Sequence, residues 1–238
     1  KKKASGKPDP QAGVTTREGR NGIFEYAPGA STVIDGTNYK VNGIRVSWPV
    51  QGGRDALMKS VPNKKEMRCC ECQTRFLIEM STDYEPCPCC GSTHVENIGK
   101  SILPEGFTVE DCTKDLDTKT FVKREPEILL EESWTPVGLS DAVCARSSTN
   151  ARILNINEGL LGNKKPKRFA VCLACGYSCL MPEESGEGKE WRRHYPATVT
   201  SGAFLTNDGF CVGGTKDSYL FQEGVSLASE WRTDCLQV

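Results

Sequence analysis

The chain has 238 residues, with 30 basic and 31 acidic side chains, a formal charge of −1 and a mean hydropathy of −0.44. Its length suffices for one large or two small domains with buried cores, and 37% hydrophobic with 26% charged residues exclude collagen-like, coiled-coil and wholly disordered chains. The longest apolar runs, such as Ile128-Leu129-Leu130, fall far short of the roughly 20 residues of a membrane span, and Lys1-Lys2-Lys3 leads into no apolar signal segment, so a cytoplasmic chain without a membrane segment is expected.

Residues 1–20, rich in Lys, Gly, Pro and Thr, show no apolar periodicity and read as a flexible arm. Residues 21–62 read as a small β-barrel or sheet. Ser31 to Ile34, Tyr39 to Val41 and Ile44 to Trp48 are its short strands, and Asp35-Gly36 is a favoured hairpin corner.

Residues 63–100 carry the first strong chemical signal. Cys69-Cys70-Glu71-Cys72 and Cys87-Pro88-Cys89-Cys90-Gly91 each contain a Cys-x-x-Cys, and residues 73–86 separate the pairs as in a zinc ribbon. A Cys-x-x-Cys on a tight turn aims two thiolates at one point, and two such turns complete a tetrahedron around zinc. Cys69, Cys72, Cys87 and Cys90 are therefore the expected ligands, with Cys70 and Cys89 spare and a strand through Phe76 between the pairs. His94 stands close enough to replace one thiolate, but four cysteines already fill the set. Thirteen cysteines, an odd number at this spacing, fit metal ligation in a reducing compartment better than a disulfide framework.

Residues 101–170 read as a β-rich connecting module, with strands around Phe121-Val122, Ile128 to Leu130 and Ala151 to Asn157. Its acidic cluster, Glu110, Asp111, Asp115 and Asp117, has the composition of a magnesium site but lacks a His or basic partner at telling spacing. Residues 171–238 open on Cys172-Leu173-Ala174-Cys175-Gly176, a second knuckle whose remaining ligands must come singly. His194 and Cys211, both in turn-like contexts, are favoured, with Cys179 the competing fourth ligand. Few stretches carry sustained helical periodicity, so the expected class is mainly β (α+β): small sheet or barrel modules stapled by two zinc knuckles.

No phosphate-binding loop, nucleophile elbow or His-Glu-x-x-His occurs. Sites closed by four protein ligands leave no coordination position for substrate, so both zinc ions are expected to be structural. Zinc ligation carries the formal charge from −1 toward about −4, and basic clusters offset this locally. Lys64, Lys65 and Arg68 precede the first knuckle, and Lys164, Lys165, Lys167 and Arg168 precede the second.

Several stretches in order carry a family resemblance. They are Phe24-Glu25-Tyr26-Ala27-Pro28-Gly29, Val33-Ile34-Asp35-Gly36, Tyr39 to Ile44, the ribbon, Pro104-Glu105-Gly106-Phe107, Asn157-Glu158-Gly159, Arg168 to Gly176, and Leu227 with Thr233 to Leu236. Together they resemble the region beyond the motor of superfamily 2 DEAD/DEAH-type DNA helicases with a C-terminal zinc-binding domain. That group includes the mitomycin repair factor and helicases of the DISARM and Druantia phage-defence systems. The likeness spans most of residues 20–238 and implies that His194 and Cys211 complete the second knuckle. It also implies a motor elsewhere, in further sequence or another chain, and a zinc-binding domain that continues past the position of Leu236.

The expected function is thus a zinc-binding accessory module of an ATP-dependent DNA helicase or translocase, in phage defence or DNA repair. It would bind DNA or dock a partner, with phosphate contact from Lys64, Lys65, Arg68, Lys164, Lys165, Lys167 and Arg168. Phe76, Tyr84 and Tyr177 are candidates to stack on bases, weighed against burial. The alternative is a zinc-stapled protein–protein scaffold without nucleic-acid contact; a metal-dependent nuclease built on the acidic cluster is a third reading.

Overall fold

Short β-branched and aromatic runs punctuated by Gly and Pro build a mainly β molecule, as the sequence pattern predicts. The computed structural model describes residues 19–45, 63–111, 121–123, 125–130, 132, 135–137, 144–160, 166–181, 192–197, 205–214 and 220–238. A two-turn helix, α1 (Gly19–Glu25), precedes strands β1 (Ser31–Ile34) and β2 (Thr37–Arg45). The hairpin corner falls at Asp35 and Gly36, both at positive φ (49° and 75°), as expected. The helix itself is unexpected, because two turns are too short to display a 3.6-residue period; Ile23 anchors it in the core beside Val41 and Ile44.

The ribbon comprises β3 (Asn63–Cys69), β4 (Arg75–Glu79) and β5 (Val95–Ile102), followed by β6 (Gly106–Asp111). β6 returns to pair antiparallel with β2, giving a three-stranded sheet in the order β1-β2-β6. The third strand of the first sheet therefore comes from beyond the ribbon. Three short strands follow, β7 (Phe121–Lys123), β8 (Glu127–Leu129) and β9 (Thr135–Pro136). All three pair with the long strand β10 (Cys144–Leu160).

The second knuckle sits between β11 (Phe169–Cys172) and β12 (Ser178–Leu180), and the chain ends in a second long strand, β13 (Phe221–Gln237). β13 is the spine. Its first residues pair with β11, Val225 to Leu227 run parallel to Lys100 to Ile102 of β5, and Leu227 onward forms an antiparallel ribbon with β10. The ten-stranded sheet so formed runs unbroken from the first knuckle, through β3, β5 and β13, to the second.

Zinc ligands belong to the hydrophobic cores. Cys172, Cys175 and Cys211 pack with Ile44, Phe169, Leu173 and Leu227, whereas Cys69 and Cys87 pack with Met67, Phe76, Ile78 and Leu129. Each large buried side chain contributes roughly 1.5–3 kcal/mol, so metal and apolar burial stabilise the same places.

Between the two knuckles lies a buried charge cluster. Glu66 on β3, fully buried, pairs with Arg75 of β4 at 2.7 Å. Arg75 also reaches Glu158 of β10 at 2.9 Å, and Arg168, just ahead of β11, approaches Glu158 at 3.5 Å. Ser101 of β5 and Ser226 of β13 donate hydroxyl hydrogen bonds to Glu66 at 3.3 and 3.4 Å. Five strands and the segment entering β11 thus meet on two carboxylates. Burial opposes the Arg75 charge, but the hydrogen bond to Glu158 and the field of Glu66 outweigh it and raise its pKa.

Removing one member of such a cluster strands a buried charge, which costs several kcal/mol. Arg75→Ala is expected to lower the unfolding free energy by about 3 kcal/mol in urea denaturation followed by circular dichroism. Lys64→Ala, which removes only the exposed pair with Glu79, should cost less than about 1 kcal/mol. Equal costs for the two variants would show that the cluster does not join the strands.

Candidate metal centres

Three turns of one design present the cysteine pairs. In the first, the Gln73 amide donates to the Cys69 carbonyl (3.1 Å) and the Cys69 amide to the Thr74 carbonyl (3.0 Å). Gly91 repeats this onto Cys87 (2.8 Å) and Cys87 onto Ser92 (2.9 Å); Gly176 repeats it onto Cys172 (2.8 Å) and Cys172 onto Tyr177 (2.7 Å). The residue after each second cysteine takes a left-handed backbone: Gln73, Gly91 and Gly176 have φ of 61°, 70° and 79°. At Gly176 a side chain is excluded twice over, since a Cβ would also lie 2.2 Å from the Ile44 carbonyl oxygen. The Gly176 carbonyl in turn accepts from the Ile44 amide (2.9 Å), so β2 docks directly on the second knuckle.

The first two turns converge. Cys69, Cys72, Cys87 and Cys90 bring their sulfurs within 4.8 Å of one another, with Cys69 to Cys90 at 3.6 Å and Cys72 to Cys87 at 3.5 Å. A zinc tetrahedron with arms of about 2.3 Å has edges of about 3.8 Å, so the set fits one ion. Cys69 and Cys87 are buried, while Cys72 and Cys90 face solvent. The amide of Cys89 donates to Cys87 Sγ at 3.4 Å. His94 stands aside: it is exposed, and its Nδ1 lies 3.3 Å from Glu71. Of the spare cysteines, Cys70 is exposed and Cys89 lies 3.6 Å from the Ile128 carbonyl.

The second site gathers Cys172, Cys175, His194 and Cys211, all buried and within 4.8 Å of one another. Cys172 Sγ is 3.8 Å from Cys211 Sγ, and Cys175 Sγ is 3.2 Å from His194 Nε2. His194 Nδ1–H donates to the Arg192 carbonyl at 2.5 Å, which fixes the tautomer that leaves Nε2 free to ligate. The imidazole is stacked on Tyr177 (centroids 4.2 Å apart, 16°) and met edge-on by Phe221 (5.3 Å). The Cys211 amide donates to the His194 carbonyl (3.0 Å), so the two single ligands arrive as a hydrogen-bonded pair. Cys179 is on β12, opposite Ala170, and outside the ligand set.

Donors packed this tightly cannot all ionise without a cation among them, and their proton affinities divide accordingly. Hydrogen bonds from Cys172 and Cys211 hold Cys175 well below the usual thiol range, whereas bonding to Cys175 and Cys211 pushes Cys172 well above it. At the first site burial raises the Cys72 thiol, but hydrogen bonds at Thr74 and from the neighbouring thiols outweigh it and bring it to about 6. Burial pushes Cys87 to about 12. A divalent ion at each cluster replaces this proton sharing with one full ligand set, and the two clusters fit two zinc ions.

The basic residues expected to contact phosphate are largely engaged. Lys64 pairs with Glu79 across β3 and β4, Arg68 donates to Glu96 across β3 and β5 (Nε at 2.7 Å), and Lys65 donates to the Thr82 carbonyl at 2.6 Å. Lys167 is half-buried, its amide bonded to Leu160 (2.8 Å), and Arg168 turns inward to Glu158 and Glu66. Lys164 and Lys165 lie outside the described residues, as do Asp115 and Asp117 of the acidic cluster. Glu110 accepts from Asn42 at 3.3 Å. Of the aromatic candidates, Phe76 is buried in the ribbon core, Tyr177 lies against His194, and Tyr84 is exposed.

The sequence marks Val212-Gly213-Gly214 only as the turn after Cys211; the structure places Gly213, on that 3-10 turn (Val212–Gly214), directly beside the second site. A Cβ there would lie 2.5 Å from Cys172 Sγ and 3.5 Å from Cys211 Sγ, so only glycine leaves the sulfurs room to close.

No protein-family model, curated protein or solved structure matches the chain.

Zinc content after dialysis against a graded chelator tests both ligand sets. Wild type and Cys179→Ser are expected to hold two ions per chain, and Cys211→Ser one. Gly213→Ala should release its second-site ion at about tenfold lower chelator concentration, the scale of effect seen when a metal's supporting groups are disturbed. Loss of an ion in Cys179→Ser but not in Cys211→Ser would reassign the fourth ligand.

Proposed function

We propose that this chain is a zinc-stapled, non-catalytic accessory module that binds DNA on behalf of an ATP-dependent helicase or translocase motor. The observation that carries the reading is the closure of both metal sites by four converged protein side chains, which makes them staples of one sheet rather than reaction centres. The ordered motifs from Phe24 to Leu236 support association with a motor.

Support for DNA contact comes from Lys64 and Arg68 of β3, the strand between β4 and β5 in the ribbon. Their carboxylate partners do not withdraw them, since exposed ion pairs contribute only about 0–1 kcal/mol and phosphate oxygens compete for the same donors. In the second reading, a scaffold that joins protein subunits, these residues serve only the cross-strand ion pairs with Glu79 and Glu96.

Salt dependence separates the two. Fluorescence anisotropy with a labelled single-stranded oligonucleotide should show binding at 20 mM salt that weakens steadily toward about 200 mM, because each phosphate contact releases counterions. Lys64→Gln with Arg68→Gln should weaken binding and flatten that slope by about two contacts. Undetectable binding at the lowest salt would leave the scaffold.

A further inference from the structure

The second zinc site carries an outward-facing feature that neither its ligands nor the fold requires. His194 is followed by Tyr195 and Cys211 is preceded by Phe210, so the hydrogen bond between His194 and Cys211 places the two rings together. Tyr195 stacks on Phe210 with centroids 4.6 Å apart and planes 22° from parallel. The guanidinium of Arg193 lies over the same Phe210 ring at 4.1 Å. Arg193, Phe210 and Tyr195 thus form one stack with Phe210 as the shared member.

This stack is exposed where an internal aromatic cluster would be covered. Tyr195 leaves 66% of its surface in solvent, and Leu205, at the base of the same hairpin, is also exposed. Among the described residues no carboxylate lies within ion-pair distance of Arg193, in contrast to Arg192, which is buried and paired with Glu223. The turn that presents Phe210 is tight: Thr206 and Phe210 exchange backbone and hydroxyl hydrogen bonds at 2.8 and 3.1 Å, and Leu205 pairs with Cys211. The rings are therefore held by the metal ligands themselves.

We propose that Tyr195, Phe210 and Arg193 form a nucleobase-stacking site for single-stranded nucleic acid. The open face of Tyr195 receives an unstacked base, and the Arg193 guanidinium contributes the charge that a flanking phosphate needs. A flat aromatic face beside a cation with no carboxylate partner among the described residues matches that ligand, because every base offers a π-face and every nucleotide an anion. An apolar peptide would leave Arg193 unanswered, and a duplex keeps its bases stacked internally. The proposal rests on the DNA-binding reading and names its contact site.

The test compares a thymidine oligonucleotide with an abasic oligonucleotide of the same length, which keeps the phosphates and lacks the bases, using the zinc-loaded full chain. Wild type should prefer the thymidine oligomer by about tenfold. Tyr195→Ala should lose that preference, Tyr195→Phe should keep it, and all three should retain two zinc ions. Arg193→Gln should weaken binding to both oligomers. If Tyr195→Ala keeps the base preference, or wild type binds both oligomers equally, the stacking site is wrong while DNA binding through phosphate stands. If wild type binds neither, the DNA reading falls as well.

Discussion

Each metal site ties the end of a strand to a loop distant in sequence, and the sheet is organised around those ties. Cys69 ends β3 and is held to Cys90, 21 residues on; Cys172 ends β11 and is held to Cys211, 39 residues on. Closing such loops costs chain entropy that short, turn-rich segments recover poorly from apolar contact alone. Zinc binding, on the order of 10 kcal/mol or more per structural site, is comparable to the whole net stability of a typical domain, about 5–15 kcal/mol. The sulfurs also fill volume in both cores, so the same atoms serve ligation and packing.

The two ties are not independent. β3 carries a metal ligand, Cys69, and the buried carboxylate Glu66, whose partners Arg75 and Arg168 lead toward the two knuckles. β13 runs parallel to β5 and antiparallel to β11, linking the ribbon to the second site through continuous backbone pairing. Docking of β2 on Gly176 brings the small three-stranded sheet onto the same frame. Residue segments that look like separate modules in the sequence are therefore joined by backbone hydrogen bonds, within the ten-stranded sheet and where β2 of the smaller sheet meets Gly176.

How much of this was legible depends on the range of the information. The hairpin at Asp35-Gly36 and the Cys-x-x-Cys knuckles are local patterns, and both stand where the sequence places them. His194 and Cys211 could be proposed as single ligands, but the choice over Cys179 depends on how a loop returns, which spacing does not encode. Arg168 shows the opposite failure. Its place in a basic run suggests solvent and phosphate, whereas Glu66, about a hundred residues earlier, draws it inward. Tyr177, a stacking candidate weighed against burial, covers the ligand imidazole, whereas Tyr195, which the sequence did not single out for stacking, is exposed.

A platform of this kind derives its rigidity from coordination, and the coordination is where the account is most exposed to test. Zinc K-edge X-ray absorption on the loaded chain reads it directly. One all-sulfur set and one set of three sulfurs with an imidazole nitrogen should average to a predominantly sulfur shell at about 2.3 Å with a minor nitrogen contribution. A shell dominated by oxygen, or a single all-sulfur ion per chain, would contradict it.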